Sequence, residues 1–442
     1  MGASFGDRCY VRSMRRVDRT ATIHDLTPLP RASLAIAAFS TIVEWYDFTL
    51  YLYFATVLSR VFFGGGAMSL LTTLGGFALA YLMRPLGAVF FGHIGDRHGR
   101  RHMLLISVAL MTAAMLATGL LPTYSQVGAA AGVLLFLLRC VMGFSVGGEY
   151  TGVVAYLLEG APAHRRGLIA SSASAASEIG ALLAVGISAA TVALTSEAQL
   201  ASWAWRIPFL FGAALAGSVW IARRTMEESP EFHRQLAAQS VPKSPLRHSL
   251  ANHKAAVGRA FAISALGSIT YYVGITYVPA FLTSAGKLSE SAALWLSTAA
   301  AVIVILVTPL IGLLSDRIGR KRVLAALSLA NVLLPMTMFA LMASGSHAQA
   351  LVGALVLAAL AGGVSAVGAV ATAEQFPGEG RVTGLALGAT GATAIFGGFT
   401  PWLAQYLIGR TGWSMAPGAM IALVGLAVLP LFLLMRETAP RR

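Results

Sequence analysis

Long apolar segments separated by short polar ones fill the chain from about residue 31 to residue 435. Most of them hold about 20 residues or more, enough for a helix to span a hydrocarbon core of roughly 30 Å. The alternation over about ten residues that is typical of outer-membrane strands is not visible. The pattern predicts an all-α integral membrane protein with twelve transmembrane helices, at 32–58, 67–93, 102–122, 127–157, 168–196, 203–222, 256–283, 292–315, 322–343, 347–375, 382–408 and 415–435.

Composition and charge agree with a membrane protein, since 57% of the 442 residues are hydrophobic and the mean hydropathy is +0.73. The net charge of +14 does not indicate nucleic-acid binding, because the basic residues lie in short clusters between apolar segments. Twenty-six of the 32 Lys and Arg residues fall in the termini and loops of one side, against four on the other. The positive-inside rule therefore predicts that both termini lie in the cytoplasm. We expect a multi-pass protein of the bacterial inner membrane.

The predicted spans divide the chain into a cytoplasmic tail (1–31), a first six-helix half (32–222), a central cytoplasmic loop (223–255), a second half (256–435) and a short cytoplasmic tail (436–442). The first 30 residues lack the apolar core and cleavage site of a signal peptide, so we expect a disordered tail, with Met14 as an alternative start. Cys9 lies in that tail and Cys140 in the fourth span, which argues against a disulfide.

Two short motifs each occur twice. Residues 92–101 read GHIGDRHGRR and residues 312–321 read GLLSDRIGRK, sharing G-x-x-x-D-R-x-G-R-[RK] at an offset of 220 residues. The pattern E-x-x-P-x-x-x-R occurs at 159–166 and again at 374–381, an offset of 215 residues. Two unrelated motifs at nearly one offset indicate duplication of a six-helix half.

The repeated residues are candidates for a cytoplasmic gate. Their glycines allow helices to approach closely, and their aspartates can cap a neighbouring helix or pair with Arg. A simpler alternative is that the turns are basic only because they face the cytoplasm. The predicted gate residues are Gly92, Asp96, Arg97, Gly99, Arg100, Arg101, Glu159, Arg166, Gly312, Asp316, Arg317, Gly319, Arg320, Glu374 and Arg381.

The paired loops resemble the signature of the major facilitator superfamily, over about residues 31–437. The resemblance implies two pseudo-symmetric six-helix halves around a central site that opens alternately to each side. Further stretches resemble one of its branches, the metabolite:H+ symporter family: EWYDF at 44–48, LMRPLGAVFFGHIGDRHGRR at 82–101, RCVMGFSVGGEYTG at 139–152, WAWRIPF at 203–209 and AIFGGFTP at 394–401.

Glu44 and Asp47 lie three positions apart in the first span, and hence on one helical face. An ionisable side chain at mid-bilayer costs about 2.5–3.5 kcal/mol, so we expect both to serve a function. Two carboxylates in one cavity would form a proton-binding site; alternatively, one of them caps or pairs with a neighbouring helix. Arg139 in the fourth span is a candidate partner for these carboxylates or for an anionic substrate, as the resemblance also implies.

Three more charged residues within predicted spans are candidates for the site. Glu149 and Glu178 are further proton-coupling candidates. The alternatives are that Glu149 pairs with an Arg near the cytoplasm and that Glu178 binds a cation or pairs with Arg139 or Arg84. Arg84 is a second candidate for an anionic substrate, with snorkelling towards the cytoplasm as its alternative.

The sequence holds no H-E-x-x-H, Walker or nucleophile-elbow motif, so we expect neither an enzyme nor a metal or cofactor. We expect a proton-coupled symporter for a small organic solute, functional as a monomer in lipid, with Tyr271 and Tyr272 on one wall of its site. Arg84 and Arg139 favour a di- or tricarboxylate such as 2-oxoglutarate or citrate. The alternatives are a zwitterionic osmolyte such as proline or glycine betaine, and a drug or metabolite exporter of the same fold.

Overall fold

The computed structural model describes residues 30–439 except 66–71, 74–75, 77–78, 148, 239–250, 279–280, 283–284, 287, 289 and 377–380. In this part of the chain each of the twelve predicted spans overlaps a helical segment, several of which are broken, and further short helices lie between them. In the first half the segments that overlap the spans are α1 (Arg31–Tyr53 and Ala55–Phe63), α2 (Met83–His98), α3 (Arg100–Gly119), α4 (Ala130–Val146 and Glu149–Gly160), α5 (Arg166–Leu194) and α6 (Arg206–Arg223).

The second half repeats the pattern with more breaks in its helices. It consists of α7 (Lys254–Tyr271 and Tyr272–Thr276), α8 (Glu290–Ile318), α9 (Arg320–Leu333 and Pro335–Met342), α10 (His347–Ala373), α11 (Arg381–Leu385, Ala386–Thr390, Gly391–Thr393, Ala394–Gly398 and Thr400–Thr411) and α12 (Ala416–Leu434).

Within the described ranges, six helices are long and apolar enough to cross a membrane. Two further pairs, bent by 42° at Trp205 and by 44° at Leu334, bring the number to eight if each pair is one span. The other segments are shorter, less apolar or interrupted by breaks and by residues outside the described ranges. The architecture is all-helical, as predicted.

The repeated loops are tighter than the predicted spans suggest. Only Gly99 separates α2 from α3, and only Gly319 separates α8 from α9. Both have a positive φ, 100° and 101°, a region that glycine adopts without the steric penalty of a side chain. We call the end of the bundle that carries these two loops the motif end.

The central loop contains a short helix, Pro230–Ala237, that the sequence analysis does not predict. Ser229 caps it by accepting a hydrogen bond from the amide of Phe232 at 3.2 Å, and Pro230 occupies the first helical position. Both features favour a helix start. Phe232 is buried, so the helix is packed against the motif end.

The two halves meet along α5, which contacts α8 and α10, and along α2, which contacts α11. Glycines bring some of these helices close together. Gly312 on α8 lies against Gly167 and Ser171 on α5, and Gly92 on α2 lies against Thr383 on α11. This close approach was predicted for both repeated glycines, because small residues let helix backbones come together.

Glycines also bring α4 against α2 within the first half. A side chain at Gly147 would collide with the carbonyl of Arg84 and the amide of Ala88, and one at Gly143 would collide with the carbonyl of Ala80. Arg139 lies on the same helix as these glycines. The contact therefore lies on the two helices that carry Arg84 and Arg139.

We predict that Gly147→Ala lowers the free energy of unfolding by about 1–3 kcal/mol, since the added methyl forces α2 and α4 apart. The measurement is the unfolding transition of the purified protein in detergent. Gly186→Ala on α5 is the matched control, because Gly186 is exposed and a methyl there would meet no atom within 4 Å. Equal stability of the two variants would contradict the tight contact.

Candidate functional site

A cavity of about 190 Å³ lies between the two halves. Helices α1, α2, α4 and α5 line it from the first half, and α7, α8, α10 and α11 from the second. We call it the central cavity. Its charged, tyrosine and tryptophan side chains are Glu44, Trp45, Tyr81, Arg84, Tyr150, Glu178, Tyr271 and Tyr272.

Glu44 and Arg84 form an ion pair on the wall of the central cavity, with Arg84 donating a hydrogen bond to Oε1 of Glu44. The guanidinium also lies 5.1 Å from the ring centroid of Tyr81 and 5.8 Å from that of Phe48. Arg84 thus points into the protein and does not snorkel to the membrane surface. The pair is electrically neutral when both groups are ionised.

Glu178 is the second carboxylate in this cavity, and its side chain is only 4% exposed. The hydroxyl of Tyr271 donates a hydrogen bond to Oε1 of Glu178 at 2.5 Å, joining α5 of the first half to α7 of the second. Among the described residues, no Lys, Arg or His lies within 4.0 Å of the carboxylate. It does not pair with Arg139 or Arg84, so an uncompensated carboxylate faces the cavity.

Aromatic side chains from both halves surround these charges. Tyr81 and Tyr272 share a hydrogen bond of 2.6 Å between their hydroxyls, and the rings of Trp45 and Tyr271 lie 5.4 Å apart, edge to face. Tyr271 and Tyr272 line the cavity, where the sequence predicts them. Trp45 is a lining residue that sequence reasoning missed, although its place beside Glu44 is a usable signal.

Asp47 lies outside the central cavity. Its Oδ2 accepts a hydrogen bond from Nη1 of Arg139 at 2.8 Å, and Nη2 of Arg139 donates to Thr118 at 3.2 Å. A smaller cavity of about 40 Å³, which we call the side cavity, is lined by both acids, Glu44 and Asp47, and by Arg84 and Arg139. The two acids therefore share a cavity, but only Glu44 also lines the central one.

Glu149 lies away from both cavities. It pairs with Arg223 at the end of α6, and the hydroxyl of Ser107 donates to its Oε2 at 2.6 Å. Arg223 also donates to the carbonyl of Leu104 and to Ser40. Of the two predicted environments for Glu149, the structure has the ion pair. Sequence reasoning missed Arg223 because it lies at the predicted border of the central loop.

At the motif end, Asp96 caps a helix of the opposite half. Its two carboxylate oxygens accept hydrogen bonds from the amides of Val382 and Thr383, at the start of α11, at 3.1 and 2.8 Å. The guanidinium of Arg100 lies 3.4 Å from Asp96 and 3.0 Å from Glu159. A helix N-terminus carries a partial positive charge, so the carboxylate stabilises this junction.

The second copy of the motif makes the reciprocal contacts. Asp316 accepts hydrogen bonds from the amides of Gly167 and Leu168, at the start of α5, at 2.8 and 2.9 Å. Arg320 lies 2.8 Å from Asp316 and 3.3 Å from Glu374. Each half thus caps a helix of the other.

One further ion pair crosses between the halves, from Nη1 of Arg381 to Oε1 of Glu159 at 2.9 Å. Its counterpart in the repeat is not formed. Arg166 makes no ion pair within 4.0 Å in the described part of the chain, and its buried Nε has no hydrogen-bond partner there. The duplication of the E-x-x-P-x-x-x-R motif therefore does not extend to the contacts of its arginine.

Three other predicted gate residues stand outside these inter-half contacts. Arg97 and Arg317 are exposed and form no ion pair within the described ranges, because each follows its aspartate by one position and so points about 100° away around the helix. Arg101 instead bonds to the carbonyl of Arg224 at 2.6 Å, within the first half. A gating role for these three arginines stays a prediction, and the contacts between the halves do not include them.

Sequence reasoning missed two carboxylates that cap the helices after the repeated loops. Glu228 accepts hydrogen bonds from the amides of Arg100 and Arg101, and Glu437 accepts them from the amides of Arg320 and Lys321. Burial raises the pKa of Glu228, while its bonds to the backbone amides act to lower it. A usable signal is that each Glu precedes a hydroxyl residue and then a proline, in Glu-Ser-Pro at 228–230 and Glu-Thr-Ala-Pro at 437–440.

Comparison with known protein families matches both halves of the chain. Residues 34–245 match the family described as "Sugar (and other) transporter", and residues 260–442 match "Major Facilitator Superfamily". A proton:xylose symporter bound to 6-bromo-6-deoxy-D-glucose shares the fold, with a TM-score of 0.73 and 22% identity over 92% of this chain and 96% of that one.

Two bacterial relatives are similar over most of their length. A proline/betaine transporter of Salmonella typhimurium is 30% identical over 97% of this chain and 88% of its own. An alpha-ketoglutarate permease of Escherichia coli is 33% identical over 84% of this chain and 86% of its own. With the duplicated loops, the reciprocal caps and the cavity between two six-helix halves, these similarities show that the chain is a multi-pass membrane transporter of the major facilitator superfamily, in its metabolite:H+ symporter family.

Proposed function

We propose that this transporter couples proton entry to the uptake of a small zwitterion that carries a positive nitrogen and a carboxylate, such as proline or glycine betaine. The observation that carries the proposal is Glu178, a buried carboxylate that faces the central cavity and has no cationic partner in the described part of the chain. A buried charge without a partner is costly, so a cationic group of the solute would supply what the protein lacks.

The balance of charge around the two cavities supports a zwitterion. Glu44, Asp47 and Glu178 oppose Arg84 and Arg139, which leaves one formal negative charge. A zwitterion adds no net charge, so one proton makes the loaded site neutral. A dicarboxylate with one proton would leave two negative charges in a medium of low dielectric constant, where uncompensated charge is unfavourable.

The aromatic lining supports the same class of solute. Trp45, Tyr271 and Tyr272 lie beside Glu178 and Glu44 in the cavity, and the faces of aromatic rings attract ammonium groups, including quaternary ones. Arg84 is available to the carboxylate of the solute if Glu44 becomes protonated, because a neutral carboxyl holds a guanidinium less strongly.

The zwitterion was the alternative in the sequence analysis, where two buried arginines favour a di- or tricarboxylate. Both arginines are already paired with carboxylates, which weakens that argument. The proline/betaine transporter also aligns with more of this chain than the alpha-ketoglutarate permease does, 97% against 84%. A carboxylate solute is the second candidate, and the slightly higher identity to that permease, 33%, favours testing it.

Alternating access and orientation complete the proposal. The reciprocal caps of Asp96 and Asp316 and the pair of Arg381 with Glu159 hold the halves together at the motif end. The excess of basic residues on that side supports its assignment to the cytoplasm of a bacterial cell, with both termini there. Breaking these contacts between the halves would open the motif end and release the solute into the cytoplasm.

The function is tested by uptake into proteoliposomes under an imposed inward proton gradient. We predict accumulation of labelled proline or glycine betaine, and none of 2-oxoglutarate or citrate. Glu178→Gln removes a charge-assisted contact worth about 1.5–3 kcal/mol, so the Michaelis constant for the zwitterion should rise about tenfold or more. The exposed Glu197→Gln is the control. Accumulation of the carboxylates alone would replace the zwitterion by the second candidate.

For the proton site, we predict that Glu44→Gln or Asp47→Asn abolishes accumulation against a gradient and spares exchange of solute across the membrane. An amide cannot take up and release a proton, whereas exchange needs only the solute site and the conformational change. Counterflow in proteoliposomes without a proton gradient measures the exchange. If both variants still concentrate the solute, proton coupling lies elsewhere, with Glu149 and Glu178 as the remaining candidates.

For the motif end, we predict that Arg381→Ala opens the cytoplasmic side. The readout is maleimide labelling of Thr372→Cys in the central cavity, in a variant without Cys9 and Cys140. Loss of a charged hydrogen bond worth about 1.5–3 kcal/mol should raise the labelling rate about tenfold or more. Arg97→Ala, which removes an exposed arginine of the same loops, should leave the rate unchanged. Equal rates in the two variants would exclude a gating role for Arg381.

A further inference from the structure

Most serine and threonine hydroxyls on the wall of the central cavity are already bonded within the protein, to a tyrosine, to each other or to a carbonyl of their own helix. These hydroxyls belong to Ser174, Ser177, Ser268, Ser365, Thr372 and Thr393. Ser264 on α7 and Thr390 on α11 are the exceptions. Both side chains are partly exposed, and neither has a hydrogen bond within the described residues. We call them the hydroxyl pair.

The hydroxyl pair lies where α7 packs along α11. Gly388 of α11 lies against Ala260 of α7, and the hydroxyls of Thr393 and Ser268 share a hydrogen bond of 2.9 Å. Ser264 stands midway between Ala260 and Ser268, one turn from each and on the same face of α7. The threonine of the pair stands between Gly388 and Thr393 in the same way. The two free hydroxyls are therefore neighbours on the wall that the second half contributes.

The stronger donors on the cavity wall are held by partners or enclosed. Arg84 is paired with Glu44, and the hydroxyl of Tyr271 donates to Glu178. The indole nitrogen of Trp45 has no partner within the described residues, but protein atoms enclose it. The hydroxyl pair thus offers donors to a solute without first breaking a contact of the protein.

A single carboxylate is the group that suits these donors. Two hydroxyls can donate to the two oxygens of one carboxylate and add no charge to the membrane interior, where charge is costly. Among the described residues that line the cavity, the second half contributes no Asp, Glu, Lys, Arg or His. Thr390 also ends a π-helical turn, Ala386–Thr390, and such turns are frequent at functional sites.

We infer that Ser264 and Thr390 bind the carboxylate of the transported zwitterion while its cationic nitrogen lies at Glu178. The inference rests on the proposed function and assigns a place to each end of the solute. Tyr271, the partner of Glu178, is seven residues beyond Ser264 on nearly the same face of α7, about 10 Å along the helix. The solute therefore contacts α5 of the first half with one end and α7 and α11 of the second half with the other. A solute that lacks either charge leaves one half without its contact.

Removal of each hydroxyl tests the assignment. Thr390→Val keeps the shape of the side chain, and Ser264→Ala removes the other hydroxyl. Loss of a hydrogen bond to a charged group should raise the Michaelis constants for proline and glycine betaine about tenfold or more in each variant, with little change in the maximal rate. Thr390→Ser keeps the hydroxyl and should restore the constants. Thr276→Val is the matched control, because its hydroxyl bonds to the carbonyl of Tyr272 and the residue lines neither cavity.

Prolinamide tests whether the hydroxyl pair binds the negative charge. It keeps the cationic nitrogen of proline and replaces the carboxylate by a neutral amide. Hydrogen bonds to ionised groups are roughly twice as strong as neutral ones, so its inhibition constant should rise less in the variants than the Michaelis constant for proline.

The outcomes separate this inference from the proposed function. Michaelis constants that stay unchanged in Thr390→Val and Ser264→Ala overturn the inference while uptake by the unmodified protein stands. So do an equal rise in Thr390→Ser or in Thr276→Val, and an equal rise for prolinamide and proline. Absence of both proline and betaine uptake by the unmodified protein contradicts the proposed function itself.

Discussion

The cost of burying charge in a membrane protein governs the arrangement of this molecule. Ionised groups at depth lose the hydration that stabilises them, and only a partner, a hydrogen bond or a water-filled space compensates. Three buried arginines each form an ion pair with a carboxylate on another helix: Arg84, Arg139 and Arg223. These ion pairs therefore join α1 to α2, α1 to α4 and α4 to α6. The pairing that neutralises each buried charge also links helices of the first half.

The same requirement separates groups that hold the fold from groups that face a cavity. Glu149 and Arg223 are almost fully bonded within the first half and line neither cavity. Glu44 is paired on one oxygen and unpartnered on the other among the described residues. Glu178 has a tyrosine in place of a cation. Both of these carboxylates line a cavity, where the proposed ligands, a proton and a cationic nitrogen, would complete the compensation.

The duplication places the reciprocal caps at one end of the bundle. Each half caps a helix N-terminus of the other with a carboxylate, so the two junctions share one kind of contact. Glu228 and Glu437 hold the adjacent turns from within each half. The two junctions differ in their arginines. Arg381 forms an ion pair across the halves, whereas Arg166 is unpaired in the described part, so the two junctions differ in strength.

The helical segments, the duplication and the family could all be predicted from the sequence. The length of an apolar segment predicts a span, and motifs repeated at one offset predict the pseudo-symmetry. Both predictions rest on local or periodic properties of the sequence. The shared face of Glu44 and Asp47 also follows from their spacing. The surroundings of each acid became known only from the fold. Glu44 lines the central cavity and Asp47 does not, Glu149 pairs with Arg223, and Glu178 has no cationic partner in the described part. The pairing of side chains depends on how the helices rotate and how closely they approach one another. Glycine contacts between distant segments set this approach, and the spacing of residues within one helix does not encode it.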